Sequence, residues 1–152
     1  MNAIRSLGIT GTKYNNTAFT GIKEENPKMQ NKEEQTEFVI GVVLEAMAER
    51  IEYEVPENGK FNKLSVSCNV PKTSNKAMLA IECDALEPKN SRRLSVGVRR
   101  ETSDRVTSNY ILKGTKKEIL DYVKNPDNRE EIIKTVNNLS ESVDNYYREN
   151  FK

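Results

Sequence analysis

The chain has no histidine and no tryptophan, and only two cysteines, four phenylalanines and six tyrosines among 152 residues. Without imidazole, neither a Ser-His-Asp nor a Cys-His nucleophile can be assembled, and no zinc site that uses His is available. Cys68 and Cys83 are too few for a four-thiolate site within one chain. Both fall at alternating apolar positions, where a thiol behaves as a small hydrophobe. The seven glycines form neither GxxxxGK[ST] nor GxGxxG, and the Gly/Lys-containing stretch "GTKYNNTAFTGIK" does not join a strand to a helix, the context a phosphate loop needs. No catalytic, cofactor-binding or metal-binding residue is assigned, and no cofactor is expected. No apolar run approaches the twenty residues of a spanning helix. The N-terminal Arg5 is not followed by the continuous apolar core of a signal peptide. Two cysteines in such a chain point to a reduced, cytoplasmic protein.

What is present falls into two parts. Residues 1–31 are rich in Asn, Thr, Gly and Lys, and their apolar residues keep neither a helical nor a strand period. Such a stretch buries too little surface to offset the entropy of ordering it, and is read as a flexible polar tail. It contains an apolar-Thr-Gly-x-Lys repeat, Ile9 to Lys13 and Phe19 to Lys23. Phe19 and Ile22 are the candidate anchors if that repeat docks in a partner's groove.

Residues 32–152 read as a single α+β domain. Acids at Glu33, Glu34 and Glu37 crowd a first helical turn. Phe38, Val39, Val42, Val43, Ala46 and Met47 then follow at helical spacing, with Ile40 and Leu44 widening the stripe. This predicts a helix over 33–49 covered on more than one side. The period then shortens to two. "IEYEV" alternates as a first strand, and "PENG" (Pro56 to Gly59) offers a hairpin turn. Strands follow with Leu64, Val66, Cys68 and Val70 inward, then Leu79, Ile81 and Cys83, then Leu94, Val96 and Val98. In the fifth, "RVTSNYILK", Val106, Tyr110 and Leu112 are expected inward, with Ile111 blurring the phase. The expected sheet is a curved, five-stranded antiparallel meander with one apolar and one wet face.

Thr115 and Glu118 make a capping box for a short helix, which Asn125-Pro126 ends. Asp127, with Glu130 three residues on, is expected to cap the next. There Ile132, Val136, Leu139, Val143 and Tyr146 form a narrow seam. The seam predicts packing on the same molecule, with a homodimer through helix 128–148 as the alternative. The order of helix, five-stranded meander and two helices is similar in topology to cystatin-like folds, whose sheet wraps around a helix. Topology alone implies nothing about activity.

Charge is balanced globally at +1 but not locally: residues 87–117 carry nine Lys/Arg against three acids. Arg92, Arg93, Arg99, Arg100, Arg105, Lys113, Lys116 and Lys117 are the candidate binding surface. A basic sheet face can track phosphates, but nucleic-acid sheets also present aromatics for stacking, and the outward positions here hold no Phe or Trp. Glu82 and Asp84, on alternate strand positions about 7 Å apart, are the best carboxylate pair. The expected function is a small, non-catalytic binding or adaptor protein that engages a protein partner through its tail, basic sheet face or C-terminal helix. A nucleic-acid-associated protein using the Arg-rich strands is the first alternative. A small-ligand-binding or enzymatic domain on the sheet face is the second.

Overall fold

The computed structural model describes residues 31–150. Its order is α1 (Lys32–Glu54), β1 (Leu64–Asn69), β2 (Asn75–Cys83), β3 (Arg92–Arg100), β4 (Val106–Gly114), α2 (Lys116–Lys124), a 3-10 turn (Pro126–Asn128) and α3 (Arg129–Asn150). The class is α+β, with a meander β1-β2-β3-β4 antiparallel throughout. Residues 1–30, with Phe19 and Ile22, lie outside the described residues.

The sheet has four strands, not five. The stretch expected as a first strand, "IEYEV", is the end of α1. Alternation of apolar and acidic residues is compatible with both structures, because Ile51 and Val55 are also four apart. Tyr53 separates the two readings. A strand would bury it with its neighbours, whereas the helix leaves it 82% exposed while Ile51 and Val55 are buried. No breaker stands before Pro56, so helical hydrogen bonding continues through Val55, whose N–H donates to the Ile51 carbonyl. "PENG" therefore lies in the α1–β1 connection rather than in a hairpin, although Gly59 does take the positive φ expected there, +92°. At its start α1 is capped by Asn31, whose side chain accepts from the Glu34 N–H and donates to the Glu34 carboxylate.

α1 buries a single stripe, Ile40, Val43, Leu44, Met47, Ile51 and Val55. Phe38, 39% exposed, and the half-buried Val39, Val42 and Ala46 lie off it. The expected second covered side is absent among the described residues. Gly41 lies beside Arg129 at the start of α3, whose Nη1 is 3.4 Å from where a Cβ would stand, an ordinary contact.

The inward positions of β1, β2 and β3 are as alternation predicts. They share one core with the α1 stripe, Ile119 and Val123 of α2, and Ile132, Val136, Leu139 and Val143 of α3. The α3 seam is thus buried on its own molecule. The capping box of α2 forms as expected: Thr115 Oγ1 accepts from the Glu118 N–H, and the Glu118 carboxylate accepts from the Thr115 N–H. Asp127 does not cap α3. Asn125 accepts from the Asp127 N–H and starts the 3-10 turn that leads into α3.

β4 departs from simple alternation through a bulge. Leu94 faces Leu112, but Ser95 faces Tyr110, so Ile111 is the extra residue. An inserted residue flips the side-chain phase. Leu112 stays inward as expected. Tyr110 and Val106, expected inward, are turned to the other face and are 50% and 47% exposed.

A buried polar lock fixes α3 against the sheet. Asn75, 1% exposed, donates to Ser140 Oγ at 2.7 Å and Asp144 Oδ1 at 3.0 Å. Arg100 donates to Asn75 Oδ1 at 2.9 Å and pairs with Asp144 at 3.1 Å. Its guanidinium covers the Tyr147 ring, and Arg105 covers that of Tyr146.

Candidate functional site

Because all three helices contribute to one side of the sheet, the other side has no helix over it among the described residues. Its floor can be read directly from the strand register. One row runs Ser65, Ala80, Ser95, Tyr110, and the next Ser67, Met78, Gly97, Ser108. Charged rows lie on either side: Glu82, Arg93 and Lys113 at one end, and Asn69, Lys76, Arg99 and Val106 at the other. The middle is shallow because its side chains are small. Val106 leans over Gly97, its Cγ1 only 2.9 Å from where a Cβ would stand. Tyr110 lies under the Arg93 guanidinium, 4.3 Å from its ring centroid, a contact of the cation–π kind.

Most of the eight candidate basic residues are occupied within the fold. Arg92 is 0% exposed. It donates to the Pro88 carbonyl at 3.1 Å and the Pro56 carbonyl at 2.9 Å, pinning the β2–β3 connection to the α1–β1 connection. It also covers the Phe61 ring and donates to Cys83 Sγ at 3.8 Å. Arg92 is therefore a staple and not surface: it shares the inward phase of Leu94, Val96 and Val98, and its charge is met by backbone carbonyls at the strand end. Arg99 gathers the carbonyls of Arg100, Glu101 and Ser103 and so closes the β3–β4 turn. Arg100 and Arg105 serve the α3 lock. Lys113 lies 3.4 Å from Asp84, Lys116 reaches the Glu52 carbonyl, and Lys117 pairs with Asp121. The bond to Asp121 raises the Lys117 ammonium above its ordinary range. Arg93 alone of the eight stands over the open face with an aromatic beneath it.

The carboxylate pair separates in the same way. Glu82 lies on the open face opposite Arg93. Asp84 lies beyond the end of β2, is 3% exposed, and accepts the Leu86 N–H. That backbone bond, then Lys113 and Arg93, hold its carboxyl below the usual range, outweighing its burial. This is the wrong direction for a general acid at neutral pH. The two cysteines are free thiols; burial pushes Cys68 up to about 12, the direction of an inert core thiol. Among the described residues, no cluster of His, Cys, Asp or Glu is disposed to hold a metal ion, and no helix is long and apolar enough to cross a membrane.

Three features of the site were missed by sequence reasoning. The outward turn of Tyr110 follows from the bulge, for which the out-of-phase Ile111 was the available signal. The Asn75–Asp144 lock joins residues 69 positions apart, with no local trace. The burial of Arg92 had a local trace, since it lies two residues before Leu94 and shares the inward phase of β3. Comparisons with protein-family models, curated proteins and solved structures find no match.

Proposed function

We propose that this is a non-catalytic binding protein whose open sheet face docks a protein partner. The observation that supports it is the contrast between the floor and the basic residues. The arginines and lysines that made the region look like a polyanion surface are mostly tied into turns, ion pairs and the α3 lock. What remains is a shallow floor on which Ser65, Ser67, Ser108, Val106 and Tyr110 are exposed, Met78 and Ser95 are half-buried, and Ala80 and Gly97 lie buried between them. A flat patch of small and apolar side chains with a charged rim has the anatomy of a protein interface. Its proposed setting is the cytoplasm, where free thiols persist.

One observation favours a second reading, single-stranded nucleic acid. Tyr110, which strand alternation places inward, supplies an outward aromatic beside Arg93.

The test is capture from native, nuclease-treated lysate on the immobilised full-length chain, compared with Ser67→Glu/Ser95→Glu. Two carboxylates on the floor should lower recovery of a protein partner at least about tenfold, equivalent to about 1.4 kcal/mol. Recovery equal to that of the native chain would contradict the reading. In parallel, a fluorescent oligonucleotide is titrated at low salt. Binding that falls steeply with salt and disappears in Arg93→Ala/Tyr110→Ala would favour nucleic acid instead.

A further inference from the structure

An open four-stranded sheet has two edges, and this one guards them unequally. β1 is only six residues long, and Arg50 of α1 donates to the Ser65 carbonyl at 3.1 Å. The second half of β4 carries the Ile111 bulge and Lys113, both ordinary means of discouraging strand addition. The first half, Val106 to Tyr110, has no charge, proline, glycine or bulge. Four of its five residues are exposed, including Asn109 on the side where the helices lie. Among the described residues no backbone hydrogen bond outside the sheet is made by this segment. An unguarded edge of this kind is a template for another strand.

The segment is also complementary to itself. Val106 and Tyr110 lie symmetrically about Ser108, and the phase set by the bulge turns all three toward the open face. Antiparallel pairing about Ser108 sets Val106 of one copy opposite Tyr110 of the other, twice. Thr107 then meets Asn109, and Ser108 meets itself. The two half-exposed apolar side chains of β4 thereby become two β-branched–aromatic cross-strand pairs, a favourable combination. We infer that residues 106–110 are the pairing edge for a second copy of this chain, joining two sheets into one of eight strands. Residues opposite each other in an antiparallel ladder point to the same side, so both open faces form one continuous surface. The contact is small, which places it among weak, concentration-dependent associations.

The test uses the full-length chain in sedimentation equilibrium up to about 1 mM, together with site-directed cross-linking. A reversible dimer is expected, and Tyr110→Glu or Val106→Glu should weaken it about tenfold or more. Each variant removes both symmetric pairs and places carboxylates on the edge. Both positions are exposed, so unchanged circular dichroism and melting temperature should accompany the loss. Under copper–phenanthroline, Ser108→Cys should form a covalent dimer. The Cα separations of facing antiparallel residues, about 4.5–5.5 Å, lie within the disulfide range. Ser65→Cys, on the guarded edge, and the native chain should not. A monomer throughout the concentration range overturns the inference while leaving the open-face reading untouched. So does a dimer that survives both Glu variants and yields no Ser108→Cys cross-link.

Discussion

At the same heights along β3, the two sides of the sheet carry opposite kinds of residue. Leu94, Val96 and Val98 point into the core and are fully buried, while Ser95 and Gly97 between them carry almost nothing outward. The covered side has the alternating aliphatic pattern that drives burial, worth about 1.5–3 kcal/mol for each large side chain. The open side has no such driving force, and its small residues stabilise the fold little. Side chains that contribute little to stability yet keep a flat surface clear are free to serve binding. The asymmetry separates what holds this protein together from what it presents.

Paired substitutions on neighbouring residues test that separation. The largest effect should come from the core side of β3. Leu94→Ala should cost about 2–5 kcal/mol in urea unfolding, whereas Ser95→Ala should stay within about 0.5 kcal/mol. Similar costs for both would break the comparison.

The adjacent arginines come next. Arg92→Ala deletes a fully buried side chain and orphans the Pro56 and Pro88 carbonyls, so a loss of about 3 kcal/mol is expected. Arg93→Ala removes a stack on a half-exposed ring and should cost about 1 kcal/mol or less. Both are measured by the same unfolding transition.

Thiol labelling gives a third contrast. With its pKa pushed up to about 12, Cys68 should react with a disulfide reagent at pH 8 at least about tenfold more slowly than an unperturbed thiol, its scarcer thiolate being partly offset by greater nucleophilicity. A cysteine placed beside it as Ser67→Cys should react at an ordinary rate.

The smallest effect concerns Asp84. Its folded pKa is depressed, so its contribution to stability is full above the unfolded value of about 3.9. That contribution is lost as pH falls through the lower folded value. Asp84→Asn should be less stable than the native chain at pH 7. The difference should shrink as both are titrated from about pH 4 downward.

The covered face, the α2 capping box and the α3 seam were legible because each is a local or periodic pattern: two for strands, three and four for helices. Failures occurred where two patterns coincide or where the cause is distant. Ile51 to Val55 satisfied both periods, and the absence of a breaker before Pro56 decided the matter. Ile111 disturbed a phase whose meaning only the register with β3 makes plain. Arg92 carried the composition of a surface residue into the interior. Its partners are backbone carbonyls, which look alike in any sequence. Of the eight basic candidates, Arg93, Arg99 and Lys113 lie on the open face, and Arg93 alone of the three stands over an aromatic ring. The floor was foreseen as Ser, Gly, Thr and Asn; Tyr110 came to it through the bulge.

The central claim is that this molecule meets its partner on the open sheet face. It is tested most directly by placing a photo-crosslinking amino acid singly at Ser67, at Phe19 and at the exposed Ser142 of α3 in the full-length chain. On irradiation in cells, the account predicts a discrete protein adduct from position 67 and none from positions 19 or 142. An adduct from position 19 or 142, with none from 67, would contradict it.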